Sequence, residues 1–194
     1  MKTKKFYSYL IVSLASAELL LALVSWILSS TTALPVRSLL SSEGIRWFLG
    51  NYSEIVYSPL LVWILLLSML YGTIVECGIF TPSGNVRERM GRRASIAVGL
   101  LYIIGVSILI VAPHAILLSA TGSLFPSPFS KALIPLIAFG GGLCAVIYGL
   151  TARSFCSLSD IVNAMLTGIS KCAPLLLVYL LIMHCYESLF FVFA

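Results

Sequence analysis

Apolar residues are gathered into five long runs, 6–28, 59–79, 94–118, 132–150 and 174–193, with charge, serine, glycine and proline collected between them. Each run approaches or exceeds the roughly 20 residues that a helix needs to cross a hydrocarbon core. A helix satisfies its own backbone groups in lipid, where water cannot. The strict period-2 alternation of a membrane barrel is absent. The pattern therefore predicts an all-α integral membrane bundle of about five transmembrane helices, forming a single transmembrane domain. The first run follows Lys2, Lys4 and Lys5, as a signal peptide would, but it is longer than a signal core and carries Glu18 in its middle. It reads as an uncleaved anchor.

Two connecting stretches carry helical patterns without the length to span. Residues 41–56 place Ile45, Phe48, Leu49, Tyr52, Ile55 and Val56 on one stripe, with Arg46, Asn51 and Glu54 largely elsewhere. Ser41 or Ser42 can cap this helix, and Glu43 suits its first turn. Over 159–170, Ser157 and Asp160 have the spacing of a capping box ahead of Ile161, Met165 and Ile169. Both stretches predict short interfacial helices, the first with Trp47 at headgroup depth. Helical hairpins packed on neighbouring spans are the open alternative.

Composition agrees with lipid as the medium. The 194 residues are 60% hydrophobic and 10% charged, against about 25% charged in a soluble domain. The net charge of +5 does not mark a nucleic-acid surface, because the basic residues sit in short connections between apolar runs. There they set topology. With five crossings, one side collects Lys2, Lys4, Lys5, Arg87, Arg89, Arg92, Arg93, Arg153 and Lys171, and the other Arg37, Arg46 and Lys131. Nine against three places the N-terminus inside and the C-terminus outside. Arg87, Arg89, Arg92 and Arg93 are the chief topology determinants, in a basic loop over 81–93. The five cysteines, Cys77, Cys144, Cys156, Cys172 and Cys185, form no C-x-x-C pair and read as small buried thiols.

Ionisable groups inside lipid are costly and default to functional candidates. Glu18 lies near the middle of the first run and must face protein or water, either to bind a coupling proton or cation or to fix helix packing by a hydrogen bond. Glu76 is close enough to the end of the second run to reach the interface. His114 follows Pro113 in the third run, where a kink with a satisfied histidine competes with a titrating group. Gly140, Gly141 and Gly142 interrupt the fourth run five residues after Pro135. They mark either a broken helix of the kind transporters use at a substrate site or close helix contact. No phosphate-binding loop, zinc-protease motif or nucleophile elbow is present. The sequence thus predicts no enzyme, catalytic residue, metal or cofactor.

Two blocks resemble the AbgT family of p-aminobenzoyl-glutamate transporters. The first is LPVRSLLSSEGIRWFLGNYSEIVYSPLLVWILLLSMLYGTIVECGI, residues 34–79. The second, residues 124–193, carries SPF, IP, YG and SDIV…M elements in the family's order and ends in an aromatic-rich helix. Together they cover well over half of the chain. The resemblance implies a bacterial inner-membrane protein related to transporters of small organic anions. It also implies a reduced form. Only FTPSGNVRERMG stands where the family has its first re-entrant hairpin, and nothing after residue 193 corresponds to the second. What is left resembles the family's outer scaffold, the part implicated in dimer contacts, so no substrate residues carry over. Two expectations follow. One is a protein that still moves, or helps move, a p-aminobenzoyl-glutamate-like anion. The other is a scaffold or accessory membrane subunit that pairs with a second copy or another membrane protein.

Overall fold

The computed structural model describes residues 2–31, 36–80, 86–111 and 128–193, and all the regular structure among them is helical. The elements are α1 (Lys2–Thr31), α2 (Ser42–Gly50), α3 (Tyr52–Val56), α4 (Pro59–Cys77), α5 (Val86–Val111), α6 (Pro128–Ala152) and α7 (Leu158–Phe193). Five of them, α1, α4, α5, α6 and α7, are long and apolar enough to cross a bilayer. This is a multi-pass membrane protein. Most large apolar side chains on α1 and α5 face outward, Leu19, Leu20, Leu100 and Leu101 among them. That is the surface lipid tails cover.

The connecting helices differ from the sequence pattern in three places. The 41–56 segment breaks at Asn51 into α2 and α3, because Asn51 ends one helix on the Trp47 carbonyl and its own carbonyl starts the next with Ile55. Its expected apolar stripe is correspondingly split. Ile55 is buried, whereas Ile45, Leu49 and Tyr52 are exposed. The helix expected over 159–170 is not separate, since α7 runs unbroken for 36 residues with Pro174 inside it. At 1.5 Å per residue it is about 54 Å long, well beyond a bilayer core. Finally, Arg87, Arg89, Arg92 and Arg93 lie not in a loop but in the first turns of α5.

Local capping follows the sequence more closely. Ser41 Oγ accepts the Gly44 amide at 3.0 Å, with Glu43 in the first turn. At the start of α7, the Asp160 carboxylate accepts the Ser157 and Cys156 amides at 2.9 and 2.8 Å, while the Asp160 amide donates to Ser157 Oγ. This is a reciprocal capping box.

The described chain divides into two compact units. One comprises residues 63–171, from α4 to the first part of α7. Here α4 and α7 cross backbone to backbone. Gly72 lies against Ala164 and Gly168, and Gly168 against Ser68 and Gly72, so closely that a methyl group on either glycine would collide with main-chain atoms. Small residues four apart on both helices permit this approach, the usual way membrane helices gain packing without a hydrophobic drive. The buried hydroxyls of Ser68 and Thr73 donate back to Leu65 and Leu70 carbonyls. Helices α5 and α6 are antiparallel neighbours, tied by Ser95 Oγ donating to the Cys144 carbonyl and Tyr102 Oη to that of Leu136, each at 3.0 Å. Beyond α6, Arg153 adopts a left-handed φ of 61°. The reversal lets the Phe155 amide donate to the Gly149 carbonyl at 3.0 Å and drops the Phe155 ring against Gly149, where a side chain would collide with it. Tyr148, Phe155, Cys77, Ala145 and Ala164 form the core of this unit.

The other unit comprises residues 1–62 and 172–194. Its α1 buries or half-buries Tyr7, Ile11, Leu14, Glu18, Leu21, Ser25 and Leu28, spaced alternately four and three apart. That is a heptad seam of the kind seen in packed helix pairs. A strap over 36–41 ties the C-terminal end of α1 to that of α7. Ser25 Oγ accepts the Leu39 amide at 3.2 Å, and the Arg37 amide donates to the Val192 carbonyl at 3.1 Å. That carbonyl is one of the orphans every helix end must satisfy. Trp47 stacks on Phe191 with ring centroids 4.4 Å apart, and the Arg37 guanidinium lies 5.8 Å above the same ring. Trp47 is thus part of a packed cluster with Leu39, Phe191 and Val192. Because both C-terminal ends meet at the strap, α1 and the last part of α7 point the same way, the relation an odd number of crossings requires.

Candidate functional site

Glu18 occupies a seam position of α1, between Leu14 and Leu21, where the heptad spacing calls for an apolar side chain. It lies about 24 Å from the first residue of the helix at 1.5 Å per residue, deep in the span. Its side chain is half-buried. It makes no hydrogen bond or ion pair with any described residue, and its neighbours are largely apolar. The ion pair seen among the described residues lies elsewhere, Glu76 with Lys171 at 3.6 Å, each side chain 44% exposed.

What Glu18 does have is space. It lines a cavity of about 420 Å³ together with Ala15, Phe48, Tyr52, Leu180 and His184. A second cavity of about 460 Å³ shares Ala15, Glu18 and Phe48 and continues between Leu39, Ile45 and Ser188. The first lobe sets the rings of Phe48, Tyr52 and His184 among leucines, the second is mainly aliphatic, and Glu18 lies in the walls of both. Both volumes fall in the range of small-molecule sites.

His184 is the second ionisable group of this site, brought there by the last part of α7. It is 5% exposed. Its Nδ1–H donates to the Leu180 carbonyl one turn earlier, at 2.9 Å. A carbonyl can only accept, so the neutral ring carries its lone pair on Nε2. Nε2 is buried and has no hydrogen-bond partner among the described residues. The ring is clasped by Tyr52 and Phe48, with centroids at 4.5 and 5.5 Å. The sequence reading singled out His114 and passed over His184, though the same rule about ionisable groups in lipid applies to both. His184 lies in the middle of the fifth run, which was signal enough.

The remaining candidates stand apart from this site. His114 lies outside the described residues. Helix α6 runs without a break through Gly140, Gly141 and Gly142. Gly140 packs on the Tyr102 ring and Gly141 on Leu70, while nothing approaches Gly142. Gly140 and Gly141 also line an apolar cavity of about 360 Å³ with Tyr102, Ser107, Leu133 and Cys144. Arg87, Arg89, Arg92 and Arg93 are exposed on the first turns of α5. A smaller polar cavity, about 240 Å³, is lined by Glu76, Ser154, Asp160, Asn163 and Thr167. Its carboxylates are already committed, Glu76 to Lys171 and Asp160 to the helix cap. Among the described residues no three His, Cys, Asp or Glu side chains converge as metal ligands. No protein-family model, curated protein or solved structure matches the chain.

Proposed function

We propose that this chain is a transporter-related scaffold of a bacterial inner membrane, an AbgT-like subunit that pairs with a second copy or with another membrane protein rather than moving organic anions alone. One observation carries the preference for a scaffold. Among the described residues, the cavities around Glu18, between α5 and α6, and beside Glu76 are lined by carboxylates, aromatics, aliphatic groups, a few hydroxyls and one amide, with no lysine or arginine. An organic dianion such as p-aminobenzoyl-glutamate needs cationic, preferably bidentate, donors when it leaves water. Here it would meet the Glu18 carboxyl instead. The family resemblance of residues 34–79 and 124–193 supports the transporter relation, and the short stretch of sequence between α4 and α5 supports the reduced form.

The test has two arms. Tagged protein extracted in mild detergent is expected to bring down a stoichiometric homodimer or membrane partner, and a clean monomer contradicts the scaffold. Proteoliposomes under an imposed proton or sodium gradient are expected to move p-aminobenzoyl-glutamate no faster than empty liposomes. Gradient-dependent uptake would restore independent anion transport.

A further inference from the structure

Buried acids in lipid call for a counter-charge, and the cavity at Glu18 leaves room for one that the described residues do not provide. An isolated carboxylate at this depth is costly, and a cation beside it offsets that cost. Around it stand Phe48 and Tyr52, whose ring faces attract cations. The adjoining aliphatic lobe between Leu39, Ile45 and Ser188 suits hydrocarbon. Anions are disfavoured by the same carboxylate. Lipid ammonium groups sit at headgroup depth, whereas Glu18 is halfway along its span, so the guest must carry its charge into the hydrocarbon layer. Only a cation with apolar cover can do so.

We propose that the two-lobed cavity around Glu18 binds a lipophilic organic cation, a protonated amine or quaternary centre bearing aromatic or alkyl groups. Its charge sits at Glu18, its ring against Phe48 and Tyr52, and its apolar tail between Leu39 and Ser188. His184 acts as a positioning residue. With Nδ1 fixed on the Leu180 carbonyl, the ring packs against those of Tyr52 and Phe48 and holds them in place. This site is independent of the scaffold reading and can be right while that reading fails.

Tetraphenylphosphonium is the probe, measured by equilibrium binding to the full chain in phosphatidylcholine nanodiscs with empty nanodiscs subtracted. Its isostere of opposite charge, tetraphenylborate, is the control. Saturable binding of the cation and none of the anion is expected. Glu18→Gln should weaken the cation by about tenfold or more, as expected for losing a desolvated charge partner, and Glu18→Asp should recover part of it. Tyr52→Leu should weaken it severalfold. If Glu18→Gln fails to fold, Ala15→Leu, which fills both lobes and keeps the carboxylate, decides the matter by abolishing binding. Three results each overturn the proposal: no saturable cation binding, equal binding of tetraphenylborate, or unchanged affinity in the Glu18→Gln or Ala15→Leu protein.

Discussion

At the crossing of α4 and α7, Ser68, Gly72, Ala164 and Gly168 bring two backbones into contact, and the nearby hydroxyls return their protons to helix carbonyls. Around Glu18 and His184 the chain does the reverse. It spaces its helices with aromatic rings, leaves cavities of about 420 and 460 Å³, and places ionisable groups in their walls. Both regions are apolar in composition and both lie in long helices. The difference shows where the molecule invests in stability and where it gives stability up. A bundle shaped only by packing would close the second region as tightly as the first, with leucine at position 18. Open volume and an acid with no partner among the described residues together mark the second region as the one under a demand other than folding.

Substitutions sharpen this contrast, beginning with the largest effect. Gly168→Val drives a branched side chain into the Ser68 carbonyl and the Gly72 backbone, where nothing can yield. A loss of at least about 3 kcal/mol is expected, read as a collapse of the unfolding midpoint in micelles. Glu18→Leu should act in the opposite direction. Completing the heptad seam and removing the acid is expected to stabilise the protein by about 2 kcal/mol in the same assay. If it destabilises instead, Glu18 is a structural hydrogen-bonding residue and the contrast fails. Ser25→Ala leaves the buried Leu39 amide without its acceptor. A cost of about 1–2 kcal/mol is expected, with faster hydrogen exchange at Leu39 and along the 36–41 strap. The smallest effect compares two helix positions two residues apart. Gly142→Ala meets open space and should change the midpoint by less than about 0.5 kcal/mol, whereas Gly140→Ala meets the Tyr102 ring and should lower it measurably. Equal effects would mean that the glycine run is not a packing surface.

The readable parts of the fold were those set by local chemistry. Five apolar runs gave five spanning helices because length and hydropathy alone decide that a segment prefers lipid. Ser41, and Ser157 with Asp160, announced their helix starts because a capping side chain acts within three residues. What could not be read depended on distant partners. The crossing of Ser68–Gly72 with Ala164–Gly168 joins residues nearly a hundred positions apart, and small residues four apart are common in any membrane helix. The break at Asn51 interrupts a continuous apolar pattern, and periodicity does not mark it. The continuity of α7 through Pro174 runs against proline's usual role as a stop. Half of the candidate site was legible, since Glu18 violates the apolar pattern by itself. His184 was equally visible as a residue, but its significance comes from sharing a cavity with Glu18, which periodicity cannot show.

A five-helix membrane fold requires a chain threaded through the bilayer, and the basic residues put its N-terminus on the inner side. Single cysteines at Lys5 and Tyr57, placed in a background with the five native cysteines replaced, flank the first crossing. They can be labelled with a membrane-impermeant maleimide in right-side-out and inverted vesicles. Lys5→Cys is expected to react only in inverted vesicles and Tyr57→Cys only in right-side-out ones. Reaction of both positions from the same side would contradict the first crossing and, with it, the five-helix membrane fold.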